Sequence, residues 1–140
     1  MKILKCSIAG YDFAFRVDVF EEIIPTVLFK EFPGQKKSTV GFINFRGEEK
    51  ELLDLGYLLN AEYEGEYINR FIIVLKGRPY AFLIDKFDSI IDTETGDFAS
   101  AEDNMPHAGF IASVIKNGNY PLYDADAIIA AAGRGHAKKR

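Results

Sequence analysis

Two aspartates at matched places, Asp54 in "LLDLG" and Asp124 in "LYDAD", have the most easily stated chemistry in this 140-residue chain. Two carboxylates sharing one proton across a pseudo-twofold axis are the machinery of an acid hydrolase. Such dyads sit in Asp-Thr/Ser-Gly loops, whose small polar residues position each carboxylate. Here the runs are Asp54-Leu55-Gly56 and Asp124-Ala125-Asp126, without the hydroxyl and without the second glycine. Each Asp instead precedes an apolar run, "LGYLL" or "ADAIIAAAG", where a carboxylate can accept from first-turn N–H groups. Two helix N-caps are the expectation, and an acid hydrolase using Asp54 and Asp124 is kept as the lesser alternative.

The remaining candidates are weaker. His107 and His136 are the only histidines, and no Cys-His or Glu-x-x-His spacing surrounds His107. Asp92, Glu94, Asp97, Glu102 and Asp103 make an acidic stretch, 92–103, that lacks the Asp-x-Asp-x-Asp-Gly pattern of a calcium loop. Cys6 is the single cysteine, which excludes a disulfide framework and a multi-cysteine metal site. Its strand-like surroundings suit a small buried hydrophobe. No glycine-rich phosphate loop and no G-x-S-x-G elbow is present. No catalytic residue, no cofactor and no metal is expected.

Charge narrows the partners. The formal net charge is −4, and Arg134, Lys138, Lys139 and Arg140 in the tail "RGHAKKR" leave about −8 on the remainder. An acidic body does not suit a phosphate backbone, so no nucleic-acid partner is expected. The start "MKILKCSIAG" is too short and too interrupted for a secretory core, and no run is long enough to span a bilayer. A cytoplasmic protein without direct membrane insertion is the expectation.

The elements that must position these residues occur twice. "GYDFAFRVDVFEEII" from Gly10 and "GRPYAFLIDKFDSII" from Gly77 share seven identities at an offset of 67. "KILKCSIAG" and "NRFIIVLKG" precede them at the same offset, and Gly41-Phe42-Ile43 recurs as Gly109-Phe110-Ile111 at 68. Phe13, Phe15 and Val17 alternate with Asp12, Ala14 and Arg16, the period of a half-buried strand, and Tyr80, Phe82 and Ile84 repeat it. Asp18 with Glu21, and Asp85 with Asp88, have capping-box spacing and predict short helix starts. Arg46-Gly47 and Lys116-Asn117-Gly118-Asn119 predict hairpin turns.

Each half thus offers about five short strands. The expected fold is mainly β, a single domain over 1–140 in two repeat halves, about 1–69 and 70–140. Two small five-stranded barrels, short helices and a C-terminal helix would hide the sheet edges best. Which strands complete which barrel is open, since duplicated halves can exchange elements. The sharpest difference between the copies sets Asn44-Phe45-Arg46-Gly47 against Ala112-Ser113-Val114-Ile115. Arg46 beside a glycine turn can present its five-donor fork to a partner.

The stretch "PGQKKSTVGFINFRGEEKELLDL" resembles the signature of the CheW family of chemotaxis coupling proteins. Pro33, Gly41, Ile43, Asn44, Arg46, Gly47, Asp54 and Leu55 fall at matching places, and the likeness runs through nearly the whole chain. The resemblance implies two five-stranded barrels and a noncatalytic adaptor linking chemoreceptor cytoplasmic tips to the regulatory domain of a CheA-type histidine kinase. It also implies a partner-binding role for Gly41, Asn44, Phe45, Arg46 and Gly47, in a groove between the barrels. A diverged adaptor in surface motility or second-messenger output is the alternative. The chain departs from the family's usual pattern at Lys36, Phe45, Lys50 and Glu51. With "RGEEKE" read as a hydrophilic edge strand, weakened coupling is a further expectation.

Overall fold

The computed structural model describes residues 1–25, 38–59 and 71–137, apart from the side chains of 134–137. Pro33, Lys36, the His136 side chain, the basic tail and the junction of the halves near 69 lie outside the described residues. The chain folds in the order β1 (Lys2–Ile8), β2 (Tyr11–Arg16), β3 (Phe20–Pro25), β4 (Thr39–Phe45), β5 (Glu48–Asp54) and α1 (Leu55–Leu58). There follow β6 (Phe71–Leu75), β7 (Tyr80–Ile84), β8 (Lys86–Asp92), β9 (Phe98–Ala99), β10 (Ile111–Ile115), β11 (Tyr120–Tyr123) and α2 (Ala125–Ala137).

The fold is mainly β, and its strands form two sheets ordered β8-β1-β2-β11-β10-β9 and β3-β6-β7-β5-β4. The first hairpin of each half has been exchanged. β1–β2 lies among strands of the second half, and β6–β7 among strands of the first. The central parallel contact is the same in both sheets, because Leu122 pairs with Ala14 and Leu52 with Ala81. The antiparallel ladder of the pair β4–β5 shifts between Thr39 and Gly41, and that of β10–β11 between Ile111 and Ser113. Closed five-stranded barrels do not form. Among the described residues no ladder joins β3 to β4 or β8 to β9, and one sheet gains the two-residue β9 as a sixth strand.

These pairings revise the alignment of the copies. The offset of 67 holds for β2 and β7, but Leu4 pairs with Phe15 where Ile73 pairs with Phe82, which makes the offset of β1 to β6 equal to 69. Gly41 faces Leu52 as Ser113 faces Leu122, so β4 corresponds to β10 at 72. The second Gly-Phe-Ile is not the counterpart of the first. Ala108–Phe110 forms a 3-10 turn before the strand begins. Asn44 therefore corresponds to Lys116 at the hairpin mouth, and the contrast with Ala112–Ile115 dissolves.

Neither expected capping box forms, and only the first of the two sites begins a helical turn. Val17–Val19 makes one 3-10 turn with no side-chain cap, and Asp18 pairs with Arg16 at 2.7 Å. Lys86–Asp92 is a strand, and Asp85 accepts the Ala9 N–H at 2.7 Å, tying the β1–β2 turn to the end of β7. Strand pairing of β3 with β6 and β8 with β1 outweighs the local capping signal.

Strands at the centre of each sheet bury both faces, which accounts for their nearly unbroken apolar sequences. Ile72, Val74, Ala81 and Leu83 line the inside of the five-stranded sheet with Ile43, Phe45 and Leu52. Ile3, Ala14, Ile115, Tyr120 and Leu122 do the same in the six-stranded sheet. The intervening residues Leu4, Cys6, Phe13, Phe15, Ile73 and Phe82 meet between the sheets, where Ile128 and Ala132 of α2 cover them. Phe15 packs on Phe82 across this boundary at 5.4 Å between centroids. Among the described residues no helix is long and apolar enough to cross a membrane.

Cys6 lies in this layer, and burial, aided by the Asp88 charge, pushes its thiol far above the ordinary range. Because the thiolate is the nucleophile, native protein should resist an aromatic disulfide reagent and release one equivalent of thiolate colour only when denaturant is added. Rapid stoichiometric reaction of the native protein would contradict this packing.

Candidate partner-binding site

The β4–β5 hairpin carries the segment singled out by sequence. Phe45 pairs with Glu48, so Arg46 and Gly47 alone make the turn, with φ of 53° and 83°. Two successive positive φ values define a type I′ turn, whose twist matches that of the flanking strands. Gly47 is needed for its backbone angle, since a Cβ there would meet nothing within 4 Å. Arg46 holds the left-handed conformation without that freedom, and local contacts fix it there. The Asn44 side-chain oxygen accepts the Gly47 N–H at 3.0 Å, bracing the turn from its first strand.

The Arg46 guanidinium reaches across the open side of the sheet. It donates to Glu22 at 2.8 Å, stands 3.9 Å from Glu21, and lies over the Phe45 ring at 4.9 Å. Glu21 and Glu22 belong to β3, one edge of the five-stranded sheet, whereas Arg46 directly follows β4, the other edge. The ion pair thus spans the seam that hydrogen bonds leave unclosed. Arg46 remains 68% exposed, so the fork keeps donors for a further acceptor. Sequence reasoning missed Glu21 and Glu22 because it spent Glu21 on a helix cap. Their one signal is that "FEEII" carries paired acids beside an edge.

The five residues do not form one cluster. Asn44, Arg46 and Gly47 are exposed at the turn, Phe45 is buried beneath Arg46, and Gly41 is buried near the other end of β4. Lys50 runs against the sequence expectation. β5 is not an edge strand, and Lys50 points into the sheet's interior with its side chain only 4% exposed. Its ammonium donates to the carbonyls of Leu75 at 3.3 Å and Arg78 at 2.6 Å, and stands 3.6 Å from Glu48. Glu51 accepts from the Thr39 hydroxyl, and its own N–H donates to the Pro79 carbonyl at 2.8 Å, a bond that a proline there could not make. The departures at Lys50 and Glu51 are therefore internal fastenings. They give no support to a hydrophilic edge.

Asp54 and Asp124 are occupied as caps. Asp54 accepts the Tyr57 N–H at 3.1 Å, and Asp124 accepts from Asp126 at 3.0 Å and Ala127 at 3.4 Å. Each carboxylate serves the first turn of its own helix. In the acidic stretch, Glu94 and Asp97 close a capping box around the Thr95–Asp97 turn. His107 has φ of 59° and stacks on Phe110. Burial lowers the pKa of its imidazole, and a hydrogen bond with the Leu59 backbone works against that shift. Among the described residues no group of three or more His, Cys, Asp or Glu could hold a metal ion.

Comparison with known proteins bears on this arrangement. The sequence model of a family described as CheW-like domain matches residues 2–132. Among solved structures, the scaffolding protein TtCheW from Thermoanaerobacter tengcongensis superposes with a TM-score of 0.78. The two are 18% identical, over 87% of this chain and 86% of that one, so the likeness speaks for the fold. Comparison with curated protein sequences gives no match.

Proposed function

The chain belongs to the CheW-like domain family, and from that membership we propose that it couples chemoreceptor cytoplasmic tips to the regulatory domain of a CheA-type histidine kinase. In this reading it is a noncatalytic scaffold, one domain over 1–140, working in the cytoplasm at receptor arrays. The observation that carries the reading is the family match over 2–132. The geometry suits it. A scaffold needs a surface held in one conformation before the partner arrives, since ordering on contact costs affinity. The Asn44–Gly47 turn is braced by a side-chain hydrogen bond, an ion pair and a stacked aromatic ring.

Within the proposed site, Asn44, Arg46 and Gly47 meet the partner, Phe45 supports the guanidinium from below, and Gly41 lets the strand pack. Arg46 donates to a backbone carbonyl or a carboxylate of the receptor tip. An exposed ion pair such as Arg46–Glu22 adds only about 0.2–1 kcal/mol to stability. Arg46→Ala should therefore leave the melting temperature nearly unchanged while weakening capture of a receptor tip fragment about tenfold or more. Arg46→Glu should weaken it further, and Arg46→Lys should restore only part of the binding because the fork is lost. A co-sedimentation assay with the receptor fragment and the kinase regulatory domain reads all three. Equal binding by wild type and Arg46→Glu would remove Arg46 from the site, and failure of the wild type to bind either partner would overturn the coupling role itself.

A further inference from the structure

β2 and β11 run parallel, so the turns that precede them lie at one end of the six-stranded sheet. A cavity of about 390 Å³ wraps round this end, and its two sides differ in chemistry. On one face of the sheet Asp12 and Tyr120 are taken up by Lys5, whose ammonium stands 3.9 Å from the carboxylate and 5.0 Å from the ring centroid. On the other face the wall is Tyr11, Ile111 and Tyr123 from the strands, Met105 and His107 from the preceding loop, and Leu59, which closes α1.

This second side continues the layer between the sheets. Alternation along β2 puts Tyr11 on the side of Phe13 and Phe15, and Phe13 stacks on Tyr123 at 5.2 Å between centroids. Phe110 meets Tyr123 edge-on at 6.3 Å, and the His107 ring lies parallel to Phe110 at 6.1 Å. The aromatic layer thus reaches the surface here, where Tyr11 is 63% exposed. Tyr123 is only 7% exposed, yet its hydroxyl has no hydrogen-bond partner among the described residues and is not sealed off. A phenol withdrawn from water in this way loses free energy that a ligand acceptor would restore. Burial pushes its pKa up to about 12, so it is a donor at neutral pH. This side carries no carboxylate, ammonium or guanidinium, and a charged ligand would shed its hydration without a fixed counter-charge.

We propose that this side of the cavity binds a small neutral aromatic molecule, its ring set among Tyr11, Tyr123 and His107 and a carbonyl-type acceptor on the Tyr123 hydroxyl. Offset and edge-on ring contacts favour a planar aromatic body over a saturated one of the same size. The site lies on the six-stranded sheet, apart from the Arg46 turn of the other sheet, and stands whether or not the coupling role holds.

The test uses the full chain and four probes of similar size: benzamide, cyclohexanecarboxamide, benzoate and benzylammonium. Titration followed by two-dimensional NMR and calorimetry should show saturable binding of benzamide at roughly millimolar or tighter, with shifts concentrated at Tyr11, His107 and Tyr123. The saturated amide and both charged probes should bind at least about tenfold more weakly. Tyr123→Phe deletes a hydroxyl that bonds to nothing in the described protein, so the melting temperature should not fall while benzamide weakens about fivefold. Tyr11→Ala alters an exposed ring, and should melt as wild type while weakening benzamide about threefold or more. Any other probe binding as tightly as benzamide, shifts that map elsewhere, absence of saturation, or undiminished binding by Tyr123→Phe would each overturn the proposal.

Discussion

Lys50→Ala is expected to destabilise the protein by about 3 kcal/mol, losing two charge-assisted hydrogen bonds and the packing of the buried stem. The Arg78 and Leu75 carbonyls belong to the β6–β7 turn and its approach, and Lys50 is the β5 side chain that reaches them. The same turn is held by the Glu51 N–H on Pro79, and it carries the Arg78 guanidinium that grips Asp126 at the start of α2. Loss of Lys50 should therefore loosen both the turn and the helix docked on it. Lys50→Met keeps the stem without the charge and should cost only about 1 kcal/mol, since removing a buried charge also removes its desolvation penalty. Lys50→Glu would set a carboxylate against two carbonyl oxygens and Glu48, and should cost more than about 4 kcal/mol. Urea unfolding checks the order Met, Ala, Glu. A Lys50→Ala protein as stable as wild type would mean that the two carbonyls do not depend on this ammonium.

Lys50 also shows where sequence reading stops. A lysine between glutamates in "RGEEKE" has the composition of a solvated surface. Only the three-dimensional position of a turn some 25 residues away reveals the acceptors that pull it inward. The capping signals fail for a related reason. Asp18 and Asp85 have the right spacing for helix starts, but β3 and β8 find partners in β6 and β1, and the Asp85 carboxylate goes to Ala9 across 76 residues. Capping is worth about 1 kcal/mol, less than a strand's worth of paired backbone and buried side chains. At Asp54 and Asp124 no strand competes, and the same local rule gives the right result.

The repeat is legible because it governs the core. Ala14 and Ala81 are both fully buried at the parallel crossing of their sheets, where a larger side chain would force the strands apart. The recurrence of Gly-Phe-Ile misleads because three identities say nothing of backbone conformation. One copy lies in β4, while in the other the Gly and Phe belong to a 3-10 turn and only the Ile enters β10. The Asn44–Gly47 turn is legible from Arg-Gly between strand patterns. Its closure of the seam is not, because Glu21 and Glu22 lie some two dozen residues earlier on the opposite edge.

Exchange of the first hairpins has a consequence for unfolding. Neither sheet is built from one continuous stretch, since β1–β2 completes the sheet of the second half and β6–β7 that of the first. Pulling one sheet apart removes the central strands from their neighbours and also exposes the layer that Phe13, Phe15 and Phe82 share between the sheets. The two sheets should therefore unfold as one cooperative unit. Leu83→Ala, inside the five-stranded sheet, and Leu122→Ala, inside the six-stranded sheet, should each cost about 2–5 kcal/mol. At about 2–4 °C per kcal/mol for a chain near this size, a mid-range loss of about 3 kcal/mol lowers the melting temperature by roughly 10 °C. In both variants circular dichroism and tyrosine fluorescence should report a single coincident transition. The two side chains belong to separate clusters, so the double variant should show nearly additive losses. Were Leu83→Ala to split the melt into two steps, with the later step unmoved from wild type, the six-stranded sheet would be standing without its partner, and the shared aromatic layer would not be what couples them.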